Sequence, residues 1–183
     1  MTSCVSERGY RSTTLADVVR VARVSRSAFY EHFTDKEECF LKAYERMAAA
    51  FIRASLDAAA SEAEWRAKLE AGISTYFRWM AEHPEVAIST VVEIHNAGSR
   101  GLQARSGALE QWMRTIEGVA TLARRDGAEV PELGEVAYAA IILTAEAYVH
   151  DYARRGCVDR VQEMAPRVQA LARTLFANGV AAG

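Results

Sequence analysis

The stretch TTLADVVRVARVSRSAFYEHF, residues 13–33, decides the fold. Thr13 or Thr14 can cap a short helix over about Leu15–Ala22, because a threonine hydroxyl satisfies amides that the first helical turn leaves without partners. Arg23-Val24-Ser25 leaves room only for a tight turn, and the Ser25 hydroxyl caps a second helix over about 26–33. Leu15, Val18, Val19, Ala22, Val24, Phe29 and Phe33 provide a small core that fixes the pair at an angle. Such a pair is a helix-turn-helix, whose second helix enters the major groove of DNA while the first braces across the backbone. Arg26, Ser27 and Ala28 occupy the first turn of the second helix, where side chains reach base edges and an arginine can pair with guanine O6 and N7.

Charge supports this reading only locally. The chain as a whole carries −2, which excludes a uniformly basic nucleic-acid coat. Between residues 8 and 26, however, five arginines (8, 11, 20, 23 and 26) face the single acid Asp17.

Outward from this segment the pattern stays helical. Half of the 183 residues are hydrophobic, enough to bury a sizeable core, and they recur at three and four positions without the alternation of strands. The fold class is all-α. Asp35, with Glu38 three residues on, caps a long helix running to about Ala59. Trp65, Leu69, Ile73, Tyr76, Phe77 and Met80 form one stripe, which His83-Pro84 stops. A helix over about 85–96 follows, then a turn at AGSRG, residues 97–101. A further helix through Leu109, Trp112, Met113 and Ile116 closes at Asp126-Gly127. Two last helices cover about 132–155 and 159–178, ended by Gly156 and Gly179; Pro166 either kinks the second or marks its true first turn. The division expected is a head, residues 1–45, and a body, residues 46–183.

The stretch GYRSTTLADVVRVARVSRSAFYEHFTDKEECFLKAYE, residues 9–45, resembles the DNA-binding domain of the TetR family of regulators. It combines the Gly9-Tyr10 opening, the Thr13-Thr14 cap, Ala22-x-Val24-Ser25, Phe29-Tyr30-x-His32-Phe33 and Lys36-Glu37. The resemblance implies that Thr14, Tyr30 and Lys36 touch phosphates, and that Ser25, Arg26, Ser27, Ala28 and His32 belong to the DNA-reading surface. It also implies a ligand-responsive regulator, most simply a repressor, that binds a palindromic double-stranded operator as a homodimer. The sequence departs from the family at two places. Arg23 stands where the family has a turn glycine, and about eight residues precede Gly9 where the family has a full first helix. A truncated first helix would expose Val18 or Phe29 and weaken DNA binding, leaving a ligand-sensing helical dimer as the alternative. A mis-assigned start or a real truncation would account for the short N-terminus.

In similar proteins the middle helices enclose a small hydrophobic effector. Phe77, Met80, Ile88, Val92, Trp112 and Met113 are the apolar candidates here, with Glu93, His95, Glu146 and His150 as polar ones. The resemblance places the dimer interface on the last two helices, through Ile141, Tyr148, Tyr152, Val168, Leu171 and Leu175. A second face, Val136, Ala140, Leu143 and Ala147, also suits close helix contact.

No cofactor or metal is expected: Cys4, Cys39 and Cys157 lack ligand spacing, and Glu146 with His150 is not the Glu-x-x-His of di-iron bundles. No G-x-S-x-G elbow or phosphate loop suggests an enzyme. Every apolar run is interrupted before the roughly 18 residues of a membrane span, so a cytoplasmic protein is expected.

Overall fold

A computed structural model describes residues 1–178 of the chain. All of its regular elements among these residues are helical: α1 (Thr2–Arg8), α2 (Leu15–Ala22), α3 (Arg26–Tyr30), α4 (Lys36–Ala60), α5 (Trp65–Glu82), α6 (Pro84–Ala87), α7 (Gly98–Arg125), α8 (Glu135–Arg154) and α9 (Ala165–Asn178). Between α6 and α7 the chain winds through a π-helical turn, Ile88–Val92, and a 3-10 turn, Glu93–Asn96. Another 3-10 stretch, Val158–Met164, leads into α9.

The helix starts follow local chemistry. Thr14 caps α2 in a reciprocal box: its hydroxyl accepts from the Asp17 amide at 3.2 Å, and the Thr14 amide donates to the Asp17 carboxylate at 3.0 Å. Ser25 accepts from the Ala28 amide at 3.0 Å and Asp35 from the Glu38 amide at 2.7 Å. Thr13 is buried, its hydroxyl shared between the carbonyls of Gly9 at 2.8 Å and Cys4 at 3.1 Å. Pro166 takes the first turn of α9, where a missing amide proton costs nothing.

Three expectations change. The AGSRG turn is shorter than expected: Gly98 turns the chain at φ 71° and α7 begins there. The helix expected over 85–96 is broken into α, π and 3-10 turns. The second helix ends at Tyr30, and only residues 31–32 continue as a turn. The stop expected at Gly179 lies outside the described residues.

Three cores hold these elements. The head has its own, Val18, Phe29 and Cys39, with Leu15, Val19 and Phe33 at its margin; Ala22 and Val24, expected inside, are exposed. A neck cluster joins Val5 and Tyr10 to Phe40, Leu41 and Tyr44 of α4 and to Ile94 and Ala97. The largest core fills the body, around Phe77, Val149, Val161 and Val168. The short α1 is firmly seated in the neck, with Val5 fully buried and Cys4 at 4% exposure. Val18 and Phe29 are each 4% exposed, so the exposure expected from a short first helix does not occur.

Candidate DNA-binding head and ligand cavity

The head presents α3 and the turn before it to solvent. Ser25, Arg26, Ser27, Tyr30 and His32 are exposed, and Ala28 is half-buried. Tyr30 stands at 57% exposure, its ring edge-on to the buried Phe29 at 5.6 Å. The Phe29 and Phe33 rings, 5.2 Å apart, anchor the other side of the helix. Arg23 adopts φ 56°, ψ 40° in the turn, the left-handed conformation that the family's glycine would adopt without strain.

Asp17 organises the basic surface. Its carboxylate is held below the usual range by the Thr14 hydroxyl and amide, and secondarily by Arg8 at 3.2 Å and Arg20 at 3.7 Å. Among the described residues Arg11, Arg23 and Arg26 have no acidic partner and are exposed. The positive charge left unpaired on the head is therefore less than the arginine count suggests. The Thr14 hydroxyl itself donates to Asp17 at 2.7 Å. Lys36 is turned inward: its Nζ donates to the carbonyls of Tyr10 and Thr13, both at 2.8 Å, and lies 4.3 Å from the Tyr10 ring centre. Burial lowers its pKa. One of its three protons remains for an anion, and its geometric effect is to clamp the loop between α1 and α2 onto the start of α4.

The broken segment 84–96 ties this head to the body. The Glu93 carboxylate accepts from the Tyr10 amide at 2.7 Å and from the Asn96 amide group at 3.1 Å, beside Gly9 with φ 78°. Ser89, fully buried, donates to the Thr2 carbonyl at 3.3 Å. Glu93, a candidate for orienting a ligand, is thus engaged with the head instead.

Below lies an apolar hollow, with a cavity volume of about 90 Å³, between α4, α5, α7 and α8. Leu56 and Ala59 of α4, Leu69 and Ile73 of α5, and Ile116 and Val119 of α7 form most of its wall. A second hollow, of about 40 Å³, reaches from there toward the neck, past Tyr44, Met47, Trp79 and Thr90. Tyr76, Trp112 and Glu146 line both hollows and form the partition. An ion pair from Glu146 to Arg105 joins α8 to α7 at this wall. Burial, and after it Glu146, pushes the Tyr44 hydroxyl up to about 12.

Of the six apolar candidates, Trp112 lines both hollows and Met80 the inner one. Phe77 and Met113 are instead buried in the body core, and Ile88 and Val92, half-buried, line neither hollow. Glu146 is in the wall, whereas His95 and His150 are exposed. Sequence reasoning missed Ser55, Leu56 and Ala59: they lie on α4 beyond the head, and only the helix's rotation shows which face meets α5 and α7.

On α8 and α9, Ile141 and Val168 are buried within the chain's own core and are not available to a second copy. Tyr148, Tyr152, Leu171 and Leu175 are half-buried. The alternative face points outward: Val136 is 79% and Leu143 41% exposed, with Ala147 exposed one turn further on.

Residues 2–43 match the family described as bacterial regulatory proteins of the tetR family. The fatty acid metabolism regulator protein of Bacillus subtilis is 22% identical over 117 residues, 64% of this chain and 60% of that protein, so the match spans less than two thirds of the relative's length. Among solved structures, the fatty acid degradation regulator FadR from Bacillus halodurans superposes with a TM-score of 0.84 at 17% identity, over 93% of this chain and 89% of that one. FadR from Bacillus subtilis, in complex with stearoyl-CoA, gives 0.82 at 19% identity over 98% and 95%. The TetR family regulator PfmR from Thermus thermophilus gives 0.67 at 17% over 99% and 96%. The family match thus covers the helix-turn-helix itself, residues 2–43, and the helical body behind it shares the fold of these solved regulators.

Proposed function

We propose that this regulator is a homodimeric repressor that binds a near-palindromic operator and releases it when a long-chain acyl-CoA enters the cavity. The observation that carries the reading is that one helix serves both ends: α4 walls the cavity with Ser55, Leu56 and Ala59 and clamps the head through Lys36. A ligand that prefers a shifted α4 lowers the population of the DNA-binding arrangement in proportion to that preference. The acyl-CoA class is supported by the apolar wall and by the likeness to FadR, whose Bacillus subtilis form was solved with stearoyl-CoA.

In the DNA complex Arg26, Ser27, Ala28 and His32 face bases, Ser25 holds the helix start, Tyr30 contacts a phosphate, and Thr14 does so by turning its hydroxyl away from Asp17. Lys36 contributes its charge while holding the loop. A helix as short as α3 covers few base pairs, so a second copy on the adjacent half-site is needed for affinity.

The test selects bound fragments from random DNA and titrates the recovered site with stearoyl-CoA. A palindrome with steep salt dependence, released about a hundredfold by saturating ligand, is expected. Arg26→Ala should relax specificity at one base pair per half-site, costing about 1–3 kcal/mol there. Operator affinity unchanged by stearoyl-CoA would overturn the acyl-CoA assignment.

A further inference from the structure

The cavity wall contains two polar atoms that an apolar chain does not satisfy. Ser55 Oγ and the Tyr76 hydroxyl are buried and have no hydrogen-bond partner among the described residues. Ser55 is 4% exposed, and it sits mid-helix, where a serine hydroxyl commonly turns back to the carbonyl four residues earlier. It makes no such bond. The Tyr76 ring is fixed by Phe51 at 5.1 Å, Phe77 at 5.3 Å and Trp112 at 6.4 Å. Both residues line the outer hollow, and Tyr76 also lines the inner one. Leaving a buried hydroxyl unpaired is costly, and phenylalanine and alanine would fill the same space without that cost.

We propose that Ser55 and Tyr76 form a specificity site for a neutral carbonyl oxygen of the ligand, which distinguishes an acyl thioester from a plain alkyl chain. The inference rests on the acyl-CoA reading above and adds to it the atom that is recognised. Both hydroxyls can donate. Burial, and after it the Glu146 carboxylate, pushes the Tyr76 phenol well above its ordinary pKa, so it keeps its proton. Glu146 lines the same hollow but is paired with Arg105, and the Lys68 amine is turned to the Ala59 and Glu62 carbonyls, so the two hydroxyls remain as donors suited to a neutral carbonyl oxygen. With the oxygen bound at Tyr76, the chain on one side of it faces the Leu56, Leu69 and Ile73 wall.

Stearoyl-CoA and S-octadecyl-CoA, a thioether that lacks only the carbonyl oxygen, test this directly. Trp112 lies in the wall, so tryptophan emission reports binding. The wild-type protein should bind the thioester about tenfold more tightly. Tyr76→Phe should reduce that ratio to about twofold by weakening the thioester while leaving the thioether unchanged. The variant removes an oxygen without a protein partner, so it should melt no lower than wild type, and Ser55→Ala should shift the ratio in the same direction. An unaltered ratio in both variants, or equal binding of the two chains by wild type, overturns the inference and leaves the acyl-CoA reading standing. If neither chain binds wild type, the acyl-CoA reading fails and this one fails with it.

Discussion

Two backbone positions show how single residues set the balance between stability and function. Arg23 holds a left-handed conformation that a side chain disfavours, yet it places an exposed guanidinium beside the reading helix. Arg23→Gly should raise the unfolding free energy by about 0.5–1 kcal/mol through relief of that strain. If the side chain meets a phosphate, the same change lowers the salt slope of DNA binding by about 1. Urea unfolding and a salt titration of operator binding separate the two effects. Gly101 is the opposite case. A Cβ there would lie 2.7 Å from the Ile94 carbonyl oxygen and 2.8 Å from the Ala97 Cβ, both residues of the neck cluster. Gly101→Ala should therefore destabilise by about 1–2 kcal/mol despite alanine's better helix propensity, and a rise in stability on denaturation would show that the turn can yield.

At the scale of elements, what was legible in the sequence was local. Thr14, Ser25 and Asp35 cap their helices because capping depends only on the next three amides, and Pro84 and Pro166 act through their own rings. The strained Arg23 turn was legible only through the resemblance, from the family's glycine at that place. The AGSRG segment misled because glycine has two uses: Gly98 turns the chain, whereas Gly101 is small inside a helix. Nor does periodicity reveal the π turn, whose apolar residues still recur helically while its ladder is shifted. The caps make an acid-sensitive head. Lys42, then Thr34, holds the Glu38 carboxyl down from an ordinary 4.5 to about 2, and Asp17 is lowered by Thr14. A carboxylate with a lowered folded pKa stabilises the fold above its ordinary pKa and loses that contribution as pH falls through the folded value. The melting temperature should thus decline from about pH 4.5 toward about pH 2, and Glu38→Gln should flatten the decline in a calorimetric series.

The whole molecule hides part of what sequence reading assigned to its surface. Which residues line a cavity, or remain for a partner, depends on helix rotation summed over distant contacts. Phe77 and Met113 went to the core, Ile141 and Val168 likewise, and Ser55 came into the wall from a helix assigned to the head's exit. Val136, Leu143 and Ala147, with Ala140 half-buried among them, instead form an outward stripe on α8. On the homodimer reading, Leu143→Glu should shift the protein toward monomer in sedimentation and weaken operator binding at least tenfold, without lowering the helical content. A dimer that survives this change at micromolar protein would place the interface elsewhere.

Finally, the length of α4 acts as a lever arm. From Phe51, packed on Tyr76 and Trp112 of the partition, to Lys36 at the head is fifteen residues, about 22 Å at 1.5 Å per residue. A rotation of about 10° around the cavity end carries the other end about 4 Å, more than one base-pair step of about 3.4 Å. On the repressor reading, a tilt of that size is enough to put a reading helix out of phase with its bases.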